Sequence, residues 1–298
     1  MSAPAPRDDD RAFARLLRHW RHARGVSQLA LAADAEVSIR HLSFLETGRA
    51  RPSREMVERL TVALDVPLAD RNAVLMAAGF APVYGQRELG APELARVRRA
   101  LDCILRQQEP YPAIVVDGRW DVVMRNDAAR RVFDLFLDSP PLGRREARNA
   151  LRATVHPDGL RRFIVNWEEL AGALVAQVHR DAAASPDAAA LRDELLAYPG
   201  VPARWRTPDP GVTAPPLLTM RLQRGDLRLA FFSTITVLAT PQDVTLQQLR
   251  IECFHPADAE TEAAAARLAA AMPTAHHTGA VERAAAPGAA RTAGSAGV

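Results

Sequence analysis

Apolar residues recur at helical spacing through the front of the chain and at alternating spacing in two later stretches, which divides it into an all-helical front and a mixed rear. Phe13, Leu16, Leu17 and Trp20 stand at i, i+3, i+4 and i+7 and predict a first helix from about Arg11 to His22, stopped before Gly25. Ser27 suits the N-cap of a short second helix, Gln28 to Ala33. Ser38 suits the cap of a third, which ends at Glu46-Thr47-Gly48, where glycine accepts the left-handed conformation that closes a helix. A fourth helix follows Pro52 and Ser53 with Met56, Val57, Leu60 and Leu64 on one face, and a fifth follows Pro67 with Leu68, Val74 and Leu75. The second and third, joined through Asp34-Ala35-Glu36-Val37, read as a helix-turn-helix, so residues 11–78 form an all-α five-helix domain.

Glycine and proline cluster in GFAPVYGQRELGAP, which makes 79–92 a linker and 93–263 a second domain. That domain opens with a helix through Leu94, Val97, Leu101 and Leu105. Two strands, Ile114 to Val116 and Trp120 to Arg125, then flank Asp117-Gly118, a hairpin signal in which the turn calls for positive φ. Helical spacing returns over Ala128 to Leu137, Arg144 to Val155, Gly159 to Val178 and Ala188 to Ala197. Alternation then marks Leu218-Met220-Leu222, a turn at Arg224-Gly225-Asp226, a long strand with Leu227, Leu229, Phe231, Ser233, Ile235 and Val237 on one face, and a last strand from Leu249 to Phe254. Strands at both ends of a helical middle predict an α+β domain, an antiparallel sheet with helices on one side. Residues 1–10 and the Ala/Gly/Pro/Thr-rich 273–298 read as a disordered leader and tail.

Composition narrows the function classes. A chain of 298 residues has room for two domains at roughly 150 residues each. No window approaches the roughly 18 consecutive apolar residues of a membrane helix, and the N-terminus lacks a signal peptide's apolar stretch, so no membrane and a cytoplasmic location are expected. Two cysteines, Cys103 and Cys253, cannot build a disulfide framework or a thiolate zinc site, and Cys253 with His255 supplies too few ligands for a metal. No H-E-x-x-H, G-x-S-x-G or G-x-x-x-x-G-K occurs; no cofactor, no metal and no enzyme activity are expected. The 38 basic residues are all arginine and face 35 acidic ones, leaving +3, too little for a non-specific polyanion binder. Any nucleic-acid contact must therefore be local.

The third helix is where that contact is expected. With Leu42 and Leu45 at the buried centre, about 100° per residue puts Arg40 nearly opposite, Ser43 and Phe44 on the outer face, and Ile39 and His41 on the flanks. Arg40 offers a fork for guanine, Ser43 a hydroxyl for a base edge, and Ile39 or Phe44 an apolar contact for a thymine methyl. Phosphate positioning is expected from Gln28, Ser38, Arg49, Arg51 and Arg54 around the helix starts and the GRARPS turn. The segment SQLALAADAEVSIRHLSFLETGRARPSREMVERL resembles the lambda-repressor/Cro, or XRE, type of DNA-binding domain over about 11–78. The resemblance implies a double-stranded DNA operator bound by a homodimer, with the third helix in the major groove. Asp34 and Glu36 depart from the neutral or basic residues of many relatives, which turns that loop away from phosphate.

The rear half carries a second resemblance. DGRWDVVMRNDAARRVF, HPDGLRRFIVNW, YPGVPARWR and TPQDVTLQQLRIECFHPAD, in that order across most of 111–258, resemble the ligand-binding domain of MmyB-like transcription regulators, with a PAS-like fold. The resemblance implies a sensor of a small, largely apolar molecule. On the residues themselves, Trp120, Phe133, Phe136, Trp167, Trp205, Phe231 and Phe232 are apolar lining candidates, with Asn126, His156, Arg161 and Asn166 to orient a polar end. Asn126, between a strand and a helix, is equally placed to cap that helix. The expected function is a sequence-specific transcriptional regulator controlled by a small apolar effector. The alternatives are a DNA-binding head fused to a protein-interaction, antitoxin-like module or to an enzyme.

Overall fold

The computed structural model describes residues 8–137, 142–182, 186–207, 217–239 and 241–271. The expected leader up to residue 7 and the tail 273–298 lie outside the described residues, whereas 8–10, also assigned to the leader, are helical. The chain divides into two compact units, Met1–Glu88 with Val237–Leu249, and Leu89–Thr236 with Arg250–Val298. The sequence boundaries anticipated neither the return of 237–249 to the first unit nor the inclusion there of most of the expected linker.

The first unit contains α1 (Asp8–Ala23), α2 (Gln28–Asp34), α3 (Ile39–Thr47), α4 (Arg54–Ala63) and α5 (Leu68–Ala77). Three of these helices, α2, α3 and α4, are held at their starts by a serine: the hydroxyls of Ser27, Ser38 and Ser53 accept the N–H groups of Ala30, His41 and Met56. Gly48 closes α3 at φ 70°. Phe13, Leu17, Leu31, Leu42, Leu45, Val57, Leu60, Val74 and Leu75 form one buried cluster. Burying a side chain of this size stabilises by about 1.5–3 kcal/mol, so helices too short to persist alone are held by packing.

One polar network lies inside that packing. Glu46 is 2% exposed. Its carboxylate accepts Arg21 Nε at 2.6 Å and Gln28 Nε2 at 2.6 Å, so one side chain of α3 ties α1 and α2. Burial would raise the Glu46 carboxyl, but the hydrogen bonds from Arg21 and Gln28 and the arginine charge outweigh it and hold the group below its ordinary range.

The first unit is completed from far along the chain. Pro67 offers no side-chain cap to α5, and the N–H of Leu68 is instead taken by Gln247 Oε1 at 2.7 Å. Gln247 belongs to a short helix, α12 (Val244–Gln248), which the sequence pattern did not predict. Asp243 caps α12, receives Arg87 Nη1 at 2.9 Å, and forms a parallel bridge to Gly85 in which Val244 N–H donates to Gly85 O at 2.8 Å. Val244 and Leu249 are buried.

The second unit is built on a five-stranded antiparallel sheet in the order β2-β1-β5-β4-β3. The strands are β1 (Ala113–Val116), β2 (Val122–Arg125), β3 (Thr219–Arg224), β4 (Leu227–Thr236) and β5 (Arg250–Pro256). Its helices are α6 (Ala95–Gln107), α7 (Asp127–Leu137), α8 (Arg144–Ala147), α9 (Ala150–Val155), α10 (Trp167–Ala182), α11 (Pro186–Ala197) and α13 (Ala259–Ala271), with α12 counted in the first unit. The expected α+β class stands.

Several local expectations change. Helix breaks at Asn149, which caps α9, and at 164–166 divide stretches that the periodicity ran together. The β1–β2 loop places its positive φ at Trp120, 65°, rather than at Asp117-Gly118. Asp117 shapes that loop by accepting the N–H groups of Arg119 and Asp121. Nor are helices confined to one face. Ile114 and Val116 join the large core cluster, whereas the equally buried Ala113, Val115 and Ile251 alternate to the other face, where α6 packs against β1. In β4 burial ends after Phe231, and Ile235 is 51% exposed.

Replacing Glu46 by Gln leaves the Arg21 guanidinium, itself largely buried, without its counter-charge; unfolding by urea should show a loss of about 3 kcal/mol. In the wild type the contribution of this pair is complete above the unfolded carboxyl value near 4.3 and declines as pH falls towards the lower folded value. The Glu46→Gln protein should lack that part of the acid dependence.

Candidate functional site

Two surfaces deserve chemistry, one in each unit. On α3 the inward Leu42 and Leu45 leave Arg40 exposed on the opposite side and Ile39 47% exposed. Ser43 and Phe44 are half-buried, and the Arg40 guanidinium carbon lies 5.5 Å from the Phe44 ring centre, so the aromatic braces the arginine on the outer face. Arg49 and Arg51 are exposed beyond the end of α3, and Arg54 pairs with Glu58 at 3.3 Å. Two phosphate candidates are otherwise engaged. The Gln28 amide donates to Glu46, because a buried carboxylate needs every donor within reach, and the Ser38 hydroxyl accepts the His41 N–H. Glu36, at φ 55°, stands in the α2–α3 turn.

The second surface is a cavity of about 540 Å³ between the sheet and the helices of the second unit. Ile114, Val122, Met220, Phe231, Ser233, Glu252 and Phe254 face it from the strands and Trp120 from the β1–β2 loop; Phe133, Leu151, Leu170 and Leu174 face it from helices. Arg125, paired with Asp134 at 2.9 Å, and Arg144 and Arg148 add charge. The volume is that of a small-molecule site, and the lining is mainly apolar with few polar groups.

Trp120 shows how this wall is made. A bulky residue at positive φ is a strained choice, and it is held by partners. Its Nε1 donates to Asp181 Oδ2 at 3.1 Å, and Arg250, paired with the same Asp181 at 2.9 Å, lies 4.9 Å from the indole centre. The arginine, carboxylate and indole thus lock the ring against the end of the sheet.

Of the expected ligand contacts, Trp120, Phe133 and Phe231 face the cavity. The others are used by the scaffold. Asn126 Oδ1 accepts the N–H groups of Ala113 and Ala129, and its Nδ2 donates to Leu105 O and Tyr111 O, so the amide is saturated and ties α6, β1 and α7. Phe136 is fully buried against Phe163. His156 Nδ1 accepts the Asp158 N–H and its ring meets Tyr198 edge-on. Arg161 donates to Pro199 O and Gly200 O and lies 4.5 Å from the Trp167 ring centre; Trp167 in turn packs near Trp205. Asn166 bonds to Thr219 O and Arg221 N–H, fastening the start of α10 to β3. Phe232 takes the opposite face of β4 from Phe231 and stacks on His255. The motifs HPDGLRRFIVNW and YPGVPARWR therefore brace one another beside the cavity, to whose lining they contribute Leu160. Close approach explains their glycine at 159: a Cβ there would meet Ala153 O at 2.1 Å.

The cavity is also lined by polar residues that the sequence did not single out as ligand contacts: Arg125, Asp134, Arg144, Arg148 and Thr154, and, from β4 and β5, Ser233 and Glu252. Glu252 sits mid-strand between Ile114 of β1 and Ile235 of β4. Burial raises its carboxyl, against a smaller opposing effect from the hydrogen bond of Ser233. The available signal was parity: Glu252 shares a face with Phe254. It was masked because Leu249, Ile251 and Cys253 make the other face look like the core side. Among the described residues, no group of three or more His, Cys, Asp or Glu could hold a metal ion, and no helix is long and apolar enough to cross a membrane.

A family model described as the MmyB-like transcription regulator ligand binding domain matches residues 97–268, and one described as a helix-turn-helix domain matches 12–74. Among solved structures, the clp gene regulator ClgR from C. glutamicum is 35% identical over 26% of this chain and 95% of its own, with a TM-score of 0.22. A second structure of that regulator, from Corynebacterium glutamicum, is 28% identical over 37% of this chain and 99% of its own, again at a TM-score of 0.22. An RNA-binding Light-Oxygen-Voltage receptor is 12% identical over 87% of this chain and 63% of its own, at 0.26. These TM-scores are too low to bear on the fold. Comparison with curated proteins returns no match.

Replacing Asn126 by Ala takes the side-chain partner from the N–H groups of Ala113 and Ala129 and from Tyr111 O, at the junction of α6, β1 and α7, while Leu105 O keeps the Gln108 N–H. Chemical denaturation should register a loss of about 3 kcal/mol or more, at about 1–3 kcal/mol for each buried group left unsatisfied.

Proposed function

The chain belongs to the MmyB-like transcription regulators and is a DNA-binding regulator of transcription, and from that premise we propose that a small, largely apolar effector occupies the cavity of its second unit and sets its affinity for an operator. The observation that carries the reading is the continuity of one wall of that cavity with the DNA-binding unit. Phe231 and Ser233 of β4 and Glu252 and Phe254 of β5 face the cavity, and the chain between these strands, Val237–Leu249, folds as part of the first unit. A concerted shift of these paired strands on filling the cavity pulls on α12, and through Gln247 on the start of α5. Control of this kind requires the effector to favour one of two arrangements of the β4–β5 connection.

For the DNA side, α3 enters the major groove. Arg40 reads a guanine, with Ile39, Ser43 and Phe44 against neighbouring base edges. Arg49, Arg51 and Arg54 position the backbone, with Ser38 donating its remaining hydroxyl proton. The protein acts as a homodimer on two half-sites about one helical turn apart, in the cytoplasm and without catalysing a reaction.

Mass spectrometry of small molecules released from the purified protein, with footprinting on the DNA upstream of its own coding sequence, tests the whole reading. An apolar compound that alters the footprint is expected; a footprint indifferent to every released or added apolar compound would overturn effector control. Within the footprint, Arg40→Ala should weaken specific binding by about 1–3 kcal/mol and relax one base position. By contrast, Arg49→Ala should weaken all sequences alike and reduce the salt slope by about one unit. Equal discrimination by wild type and Arg40→Ala would remove Arg40 from base reading.

A further inference from the structure

The chain passes between its two units at three points: from Glu88 to Leu89, from Thr236 to Val237 and from Leu249 to Arg250. The residues leading to the first of these passages are bonded to residues lying between the other two. Asp243 is 3% exposed, and its carboxylate is shared between two partners: Oδ1 accepts the Thr245 N–H at 2.9 Å and Oδ2 accepts Arg87 Nη1 at 2.9 Å. Beside it the Val244 N–H donates to Gly85 O at 2.8 Å, and the Thr245 hydroxyl donates to Arg87 O at 2.6 Å. Gly85 leaves this pair its room, since a Cβ there would come within 2.8 Å of Arg87 Nη1 and 3.2 Å of Asp243 Oδ2.

Both stretches also hold α5. Gln247 Oε1 accepts the Leu68 N–H at the start of that helix. One turn on, Asn72 Oδ1 accepts the N–H groups of Val83 and Tyr84, and its Nδ2 donates to Tyr84 O. α5 packs on α1 and α4, and α1 packs on α3. On the other side only Leu249, itself buried, separates α12 from β5, so the strand enters this knot without slack.

We propose that Asp243 is a positioning residue of a clasp that joins the linker to the β4–β5 connection, and that this clasp carries the state of the sheet through α5 to the helix-turn-helix. The inference rests on the effector reading above and names the route of control. A cap on a five-residue helix needs only an acceptor, which Asn or Ser would supply. The charge is used by Arg87, and a charge-assisted bond fixes direction where apolar contact would allow sliding. With the clasp closed, residues 85–87, α12 and the start of α5 move as one body with β5. With it open, α12 loses its anchor on the linker and a displacement of the sheet is absorbed before it reaches α5.

Hydrogen exchange at the Leu68 and Val244 amides of the full chain, read by NMR, tests the clasp without effector or DNA. Leu229→Ala removes a buried side chain from β4 and loosens the sheet. With the clasp intact it should speed exchange at both amides about 5-fold or more. In Asp243→Ala, and in Arg87→Ala, which alters only the half-exposed end of the pair, both amides should exchange faster from the outset and no longer respond to Leu229→Ala. Arg87→Lys, which keeps a cation in reach, should restore the response. Protection of the α1 and β1 amides confirms that each variant folds. On the footprinted DNA, Leu229→Ala should change affinity about 5-fold with the clasp intact and leave it unchanged in Arg87→Ala. A response that survives both clasp variants, or none with the clasp intact, overturns the clasp and leaves the effector cavity standing. Coupled amides with an unaltered DNA affinity overturn the transmission to the helix-turn-helix. An apolar compound that alters the footprint equally in wild type and Arg87→Ala overturns the route while upholding effector control.

Discussion

Strand β5 is hydrogen-bonded along both edges, to β1 and to β4, and that constraint governs the second unit. A central strand cannot shift alone, and its side chains must alternate between two covered faces. One face receives Ile251, buried beyond the reach of the cavity; the other delivers Glu252 and Phe254 to the cavity. At its beginning β5 leads back through Leu249 and α12 into the helical unit. The residues that line the cavity, the residues that hold the sheet together and the residues that leave for the helical unit thus lie within one short run of chain.

The first unit solves a different problem. Its helices are short, α2 having only seven residues, so each needs its ends satisfied and its orientation imposed from outside. Serine caps meet the first need. The second is met by the Leu42 and Leu45 face of α3 together with Glu46, whose buried carboxylate bonds α1 and α2 at once. Apolar packing alone tolerates sliding, whereas a hydrogen-bonded ion pair has a narrow range of acceptable geometry. The outward Arg40 is therefore presented from a helix whose rotation is specified from behind.

Helix positions in the front unit were legible because their signals are local: Ser27, Ser38 and Ser53 as caps, Gly48 as a stop, and apolar residues repeating every three or four positions. The strands were legible for a similar reason, their alternation surviving in Met220 and Leu222 and in Leu229 and Phe231. The cavity was much less so. Trp120, Phe133 and Phe231 face it, but Phe136, Trp167, Trp205 and Phe232 do not, because aromatic character marks burial without saying whether the ring meets protein or an open space. Polar residues misled in the same way. Asn126, His156, Arg161 and Asn166 all bond to nearby backbone groups, and a sequence does not reveal which donors and acceptors the fold has already consumed.

By itself the sequence determined the two fold classes, the helix-turn-helix and its outward arginine, and the strands with their parity, since each depends on neighbours a few residues away. Only the tertiary structure decided that Gln28 serves Glu46, that residues 237–249 complete the helical unit, and that Glu252 faces a cavity. These are relations between groups up to 179 positions apart, as Leu68 and Gln247 are. Which distant partner satisfies a hydrogen-bonding group depends on the packed arrangement of the whole chain, and no local pattern encodes it.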